Sequence, residues 1–187
     1  MTAQAVEIPG LVAGTWVIDP AHSDVSFLAR HMMVSKVRGH FTRFEGELVV
    51  AEDPLQSTAT ATIDLNSIST NNEMRDNHIR SADFFEVETY PAMTYRSTGI
   101  SQDGDDFVLH GELTLKGVTR MVPLRLEVNG FGPDIQGGTR AGFSATGEIN
   151  RMDFGVSYNR PIPGGGVTLG EQVQIVLEIE AALTGSR

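Results

Sequence analysis

Residues 57–65, STATATIDL, set Ala59, Ala61, Ile63 and Leu65 on one side of an extended chain, with Thr58, Thr60, Thr62 and Asp64 on the other. Successive side chains of a strand point to opposite faces, so this alternation marks a strand buried on one face only. A helix would scatter the same residues around its circumference. The period of two recurs along the chain. In DVSFLARHMM (24–33), Val25, Phe27, Ala29, His31 and Met33 share a face, opposite Asp24, Ser26, Leu28, Arg30 and Met32. FEGELVV (44–50) sets Phe44, Gly46, Leu48 and Val50 against Glu45, Glu47 and Val49. Val122, Leu124, Leu126 and Val128 form another apolar row, and Val173, Ile175, Leu177 and Ile179 a last one.

Half-buried antiparallel strands give this pattern, whereas strands of a parallel sheet under helices read as continuous apolar runs. Asp53-Pro54, Asp103-Gly104, Lys116-Gly117, Asn129-Gly130 and Gly137-Gly138 read as turns between the runs, and PIPGGG (161–166) as a longer loop. Strands are expected over 15–18, 23–33, 39–51, 57–66, 92–101, 106–115, 119–129 and 140–150, with a further one at 171–181. Several exceed the usual five or six residues. Long strands with one apolar face must pair with a second sheet or curl closed, and closure removes exposed edges. The expected fold class is therefore all-β, an antiparallel barrel of eight or so strands. One domain over 15–182 is expected, between tails at 1–14 and 183–187; a chain of 187 residues suffices for a real core.

TNNEMRDNHIRSADFFEVETYP (70–91) breaks the period. Thr70 followed by Glu73 reads as a capping box, which predicts a short helix over 71–80. A helix that short needs a surface to lie on, and Met74, His78 and Ile79 give it a partly apolar side. Phe84 and Phe85 then return to the core before Met93 and Tyr95 begin the next strand. The segment is expected to cross one end of the barrel.

The chain has no cysteine, which excludes disulfides, thiolate nucleophiles and cysteine-ligated metal sites. A net charge of -10 argues against nucleic acid or an anionic membrane surface as the main partner, leaving only a local basic patch around Arg30, Lys36, Arg38 and Arg43. The N-terminal residues show no basic and apolar signal pattern, so a cytoplasmic location is the expectation, with a periplasmic or secreted location as the alternative if a signal peptide has been trimmed.

The five histidines, His22, His31, His40, His78 and His110, match no HExxH or other metal motif, and no GxSxG or glycine-rich phosphate loop is present. No metal and no catalytic set is assigned. Arg75 and Asp76 are adjacent, so on a helix they point apart and make no catalytic pair; Asp76 is read as an acceptor that pins the crossover. His31 is a single polar point on an otherwise apolar face, either a satisfied inward histidine or the polar group of a ligand pocket. Ala29, Gly46, Ala59, Ala61, Ala141, Ala145 and Gly147 leave the interior open to two readings. One is a small-residue lining around a ligand, the other large-small interdigitation of a filled core.

W-x-I-D-P-x-H-S-x-V-x-F-x-x-x-H-M (16–32), V-x-G-x-F-x-x-F-x-G (37–46), S-I-S-T-x-N-x-x-R-D-x-H-I-x-S-x-D-F-F (67–85), Y-P-x-M (90–93), G-E-L-T-L-K-G-V-T (111–119) and R-M-D-F-G (151–155) together resemble the YceI-like family of polyisoprenoid-binding proteins. The resemblance implies an extended lipocalin-like barrel that carries a long isoprenoid chain, such as a quinone tail, in its lumen. It also implies that Arg75 and Asp76 brace the helical flank. Strand parity and the aromatic return nominate Val25, Phe27, Ala29, His31, Phe44, Leu48, Ala59, Ala61, Phe84, Phe85, Met93, Tyr95, Phe143 and Phe154 as the lining. The expected function is non-enzymatic binding, transport or storage of a long apolar lipid. Two alternatives stand beside it: an enzyme acting on a lipid-like substrate with His31 or His78 as base, and an interaction scaffold with a filled core. The family's tendency, with Leu28 and Met32 on the outer face, makes a homodimer a further expectation.

Overall fold

The computed structural model describes residues 5–184. Twelve strands and one α-helix build a closed antiparallel barrel of eight staves, because four of the staves are broken by short turns. β1 (Gly14–Ile18) and β2 (Asp24–His31) lie end to end along the final strand, β12 (Leu169–Thr184). A 3-10 turn at Pro20–His22 separates them, with the Asp19 carboxylate accepting from the Ala21 N–H. β3 (Ser35–Phe41) and β4 (Phe44–Val50) form the second stave, pairing with β2 and β1 respectively. β5 (Thr58–Asp64) and β6 (Ile68–Ser69) form the third, interrupted at Leu65–Ser67 under an Asp64 cap.

Then follow β7 (Ala92–Asp103), β8 (Asp106–Leu115), the pair β9 (Val118–Met121) and β10 (Leu124–Pro133), and β11 (Thr139–Asn150). Pro123 lacks the N–H a continuous ladder needs, so the stave breaks between β9 and β10. Each stave pairs with its sequence neighbours, and β12 pairs back onto β1 and β2, which closes the barrel.

The expected 39–51 strand is two strands, since Thr42 and Arg43 turn instead to Ser67, whose hydroxyl accepts from the Arg43 N–H. Asn129-Gly130 is not a turn. It is a bulge inside β10, with Gly130 at φ 152° and a register shift after Val128. The final strand also runs beyond 182 to Thr184, while residues 1–4 and 185–187 of the expected tails lie outside the described residues.

α1 spans Glu73–Arg80. Its cap is Asn72, whose side chain accepts from the Arg75 N–H at 2.9 Å, so the Thr70–Glu73 capping box does not form. Asparagine caps as well as serine or threonine, and Thr70 is used elsewhere. Asp76, buried in the helix, accepts from both the Thr70 N–H (2.8 Å) and the Thr70 hydroxyl (2.6 Å). Arg75 donates from Nε to the same hydroxyl and from its NH2 nitrogen to the Thr70 carbonyl, both at 2.7 Å. Arg75 and Asp76 thus tie the helix to the end of β6. Met74 does not join the apolar side; it is 84% exposed, while Ile79 packs inward.

One end of the barrel is closed by a separate core cluster. Trp16 is fully buried among Val50, Ala141 and Ala181, edge-on to Phe131 at 5.4 Å, and Phe131 meets Phe143 at 6.1 Å. The N-terminal segment covers this plug: Leu11 packs on it, and the Trp16 indole donates to the Val12 carbonyl at 3.1 Å. Part of the tail therefore serves as a lid for that end. Among the described residues no helix is long and apolar enough to cross a membrane.

Candidate ligand-binding cavity

Inside the barrel is a cavity of about 570 Å³, within the ~300–1,000 Å³ usual for small-molecule sites. The inward row of β12 traces its length. Leu169, Val173, Ile175, Leu177 and Ile179 all line it; past the irregularity between Leu169 and Val173, the run from Val173 to Ile179 alone is ~20 Å of strand at about 3.4 Å per residue. The wall is apolar almost throughout, and a side-chain-filled core is not what the barrel contains.

Space is left open by small residues placed beneath large ones. The Phe27 ring lies over Gly39 and the Tyr95 ring over Gly111, where any Cβ would sit 2.3 and 2.4 Å from ring atoms. The large side chains thereby lie flat against the wall instead of reaching the axis. Tyr95 anchors its hydroxyl by donating to the Val122 carbonyl at 2.8 Å, and burial pushes its phenol up to about 12, so it stays neutral.

Thirteen of the nominated residues face this cavity: Val25, Phe27, Ala29, His31, Phe44, Leu48, Ala59, Ala61, Phe84, Phe85, Met93, Tyr95 and Phe143. Phe154 does not. It is 2% exposed, held in the short 3-10 turn Arg151–Phe154 and packed into the surrounding core. Strand parity has no force there, because β11 ends at Asn150. The sequence reading passed over Ile18, Ile63, Ile100, Leu109, Leu113 and Leu126, which also line the cavity. Strand alternation was available as a signal for all but Ile100, which a register shift between Ser97 and Gly99 turns inward against the parity of Met93 and Tyr95.

The charged and histidine residues of the wall gather at the end opposite the Trp16 plug, while Ser57, Thr58 and Thr60 line it nearer the plug. His31, Arg75, His78, Tyr158, Asn159, Arg160 and Thr168 line the cavity at the end opposite the plug. His78, Phe84 and Tyr158 meet edge to face at 4.9–5.2 Å, forming an aromatic collar between α1 and the loop after β11. His78 Nε2 is 2.8 Å from the Asp83 carboxylate. Arg151 fixes the loop. Its buried guanidinium donates to the carbonyls of Val156, Tyr158, Leu169 and Gly170 at 2.7–3.2 Å. Burial lowers its pKa from the ordinary arginine value. Sequence reasoning gave Arg151 no role.

His31 and His40 do not make a metal pair. His31 faces the lumen, whereas His40 is paired with Ser26 on the opposite face. Among the described residues, Asp19, His22 and Glu180 bring three ligand-type atoms together outside the cavity. Arg140 already contributes a cation to that group, 2.8 Å from Asp19 and 3.5 Å from Glu180.

Comparison with known proteins agrees with this architecture. The YceI-like domain matches residues 16–181. A UPF0312 protein of Staphylococcus aureus strain N315 is 35% identical over 174 residues, covering 90% of this chain and 98% of that protein. Protein YceI of Escherichia coli is 40% identical over 148 residues, 78% of each chain. Among solved structures, BcnA of Burkholderia cenocepacia superposes with a TM-score of 0.75 at 25% identity, covering 87% of this chain and 98% of its own. A polyisoprenoid-binding domain from Saccharophagus degradans, implicated in plant cell wall breakdown, gives a TM-score of 0.64. It covers 90% of this chain and 98% of its own, and at 17% identity the likeness is one of fold. With the match spanning nearly the whole barrel, the chain belongs to the YceI-like family.

Proposed function

We propose that the protein holds a long apolar lipid, of the polyisoprenoid class, in the barrel lumen, and transports or stores it without altering it chemically. The observation that supports this is the elongated apolar cavity, plugged at one end and lined by polar groups at the other. Such a space suits a hydrocarbon chain with its head at the His31, His78 and Arg160 end. The family resemblance favours an isoprenoid over a straight acyl chain. Each buried methylene contributes about 0.8 kcal/mol. Dozens of carbons would exceed the practical ceiling near 18–21 kcal/mol of affinity, so ordering of the chain and imperfect packing absorb much of the gain. Chain length and cross-section should then govern binding more than the head group.

A second reading has one observation in its favour. His31 and His78 both reach the cavity, and His78 has a carboxylate partner, the arrangement of an oriented general base. The two readings separate on the fate of the ligand. Native mass spectrometry of the purified protein, followed by organic extraction, is expected to release a lipid mass that stays unchanged on prolonged incubation. A protein that comes through purification empty and takes up no prenyl quinone from detergent refutes the carrier reading. A ligand that turns over in wild type but not in His78→Gln refutes the non-enzymatic part of it.

A further inference from the structure

The polar end of the cavity carries an exposed apolar tip. The β2–β3 turn presents Met32, Met33 and Val34 at 45, 51 and 87% exposure. Met32 and Met33 have φ of 49° and 63°, backbone that favours asparagine and glycine, yet the chain places two large apolar side chains there. The turn is tied to the long loop beside it: the Met32 N–H donates to the Thr168 carbonyl at 2.7 Å. Met33 and Ile162 both approach the space above Gly166, so they form one patch.

Charge around the tip runs against the rest of the molecule. Residues 25–44 and 154–170 contain five of the chain's 14 Lys and Arg residues and none of its 24 Asp and Glu residues. Arg43 is paired with Asp64. Arg30, Lys36, Arg38 and Arg160 are exposed and take part in no ion pair among the described residues. Arg30 and Lys36 are cross-strand partners, an arrangement of like charges that gives nothing to the sheet. Carboxylates reach this end of the barrel at Glu171, at the start of β12, and at Asp83, which is held by His78 on the helical side.

We infer that this end of the barrel docks onto an anionic bilayer surface, with Met32, Met33, Val34 and Ile162 entering the interface and Arg30, Lys36, Arg38 and Arg160 meeting lipid phosphates. Apolar side chains ringed by cations are the composition of an interfacial anchor. The net charge of -10 repels the rest of the molecule from such a surface, so docking is oriented and places the polar end of the cavity against the lipid. The purpose of docking rests on the lipid-carrier reading, since this end is where a chain would enter or leave; the docking itself does not depend on that reading.

Vesicle flotation tests it, using the full chain with phosphatidylcholine vesicles and with mixed phosphatidylcholine–phosphatidylglycerol vesicles, at low and raised salt. The protein is expected to float with the mixed vesicles at low salt, to be released by salt, and to ignore phosphatidylcholine alone. Lys36→Gln/Arg38→Gln and Met32→Asn/Met33→Asn should each weaken partition about tenfold or more, with the circular dichroism spectrum unchanged; asparagine suits the turn's backbone. No partition into mixed vesicles, or partition equal in wild type and both variants, overturns the inference. So does a tip variant that converts a dimer to a monomer in light scattering while vesicle binding persists, because the tip would then be covered by a second copy. Native mass spectrometry on the same samples reads cavity occupancy separately. Protein that floats but holds no lipid defeats the carrier reading alone, and protein that holds lipid but never floats defeats docking alone.

Discussion

Phe27 and Gly39 are cross-strand partners, and the Phe27 ring fills the space where a side chain at 39 would begin, its Cζ 2.3 Å from that position. Phe27 therefore lies against the wall, and the lumen keeps its width. Gly39→Ala should swing the ring toward the axis. The expected result is lower lipid occupancy by native mass spectrometry and a loss of about 1–3 kcal/mol in denaturant unfolding. Gly111→Ala, beneath Tyr95, should behave alike. Unchanged occupancy in both would show that these rings do not set the lumen's width.

Arg151 supports the opposite rim by donating to four carbonyls. Hydrogen bonds from a charged donor are worth about 1.5–3 kcal/mol each, less where water can replace the lost partner. Arg151→Met should cost about 3 kcal/mol or more and speed hydrogen exchange at residues 156–170 ahead of the other staves. Exchange that rises evenly over the whole barrel would contradict a role confined to this loop.

Asp76 holds the crossover through Thr70. Asp76→Ala strands the buried Thr70 N–H and should destabilise by about 1–3 kcal/mol. Thr70→Val, which keeps the backbone N–H and its acceptor, should cost less. Equal losses would place the energy in the hydroxyl network instead.

The first stave is clasped to β11 and β12 by Asp19, His22, Arg140 and Glu180. The hydrogen bond with His22, then that with Arg140, lowers the Asp19 pKa from 3.8 to about 2. The same bond to Asp19 raises His22 above its ordinary 6.5. A depressed carboxyl stabilises fully above 3.8 and loses that contribution as pH falls toward 2. A raised imidazole stabilises fully below 6.5 and loses its contribution as pH rises through the raised value. The clasp is therefore strongest between those limits. His22→Ala should remove the alkaline decline in melting temperature, and NMR titration of His22 should give a midpoint above 6.5 in wild type. A midpoint at or below 6.5 contradicts the clasp.

The barrel was legible because period-two alternation is a local property, visible wherever one face is buried, as at Ala59, Ala61 and Ile63. Breaks within staves were less legible, because they depend on partners distant in sequence. Thr42 and Arg43 leave the ladder for Ser67, and Asn129-Gly130 becomes a bulge only because β11 continues alongside it. The cap of α1 was misread for a similar reason: Thr70 is claimed by Asp76, which local capping rules do not weigh. Parity placed most of the lining and failed at Phe154, which lies in the 3-10 turn four residues past the end of β11. Arg151 was invisible because its four acceptors are backbone carbonyls, which leave no mark in the sequence.

Lumen occupancy tests the central claim most directly. Wild type and Ala59→Phe are titrated with a prenyl quinone delivered in detergent, and the bound mass is counted by native mass spectrometry. Ala59 faces the cavity, so a phenyl ring there removes space without touching the polar end. One lipid per barrel in wild type, with occupancy sharply reduced in a folded Ala59→Phe, is the predicted result. Equal occupancy in the two proteins, or none in wild type, would contradict a lipid held in the lumen.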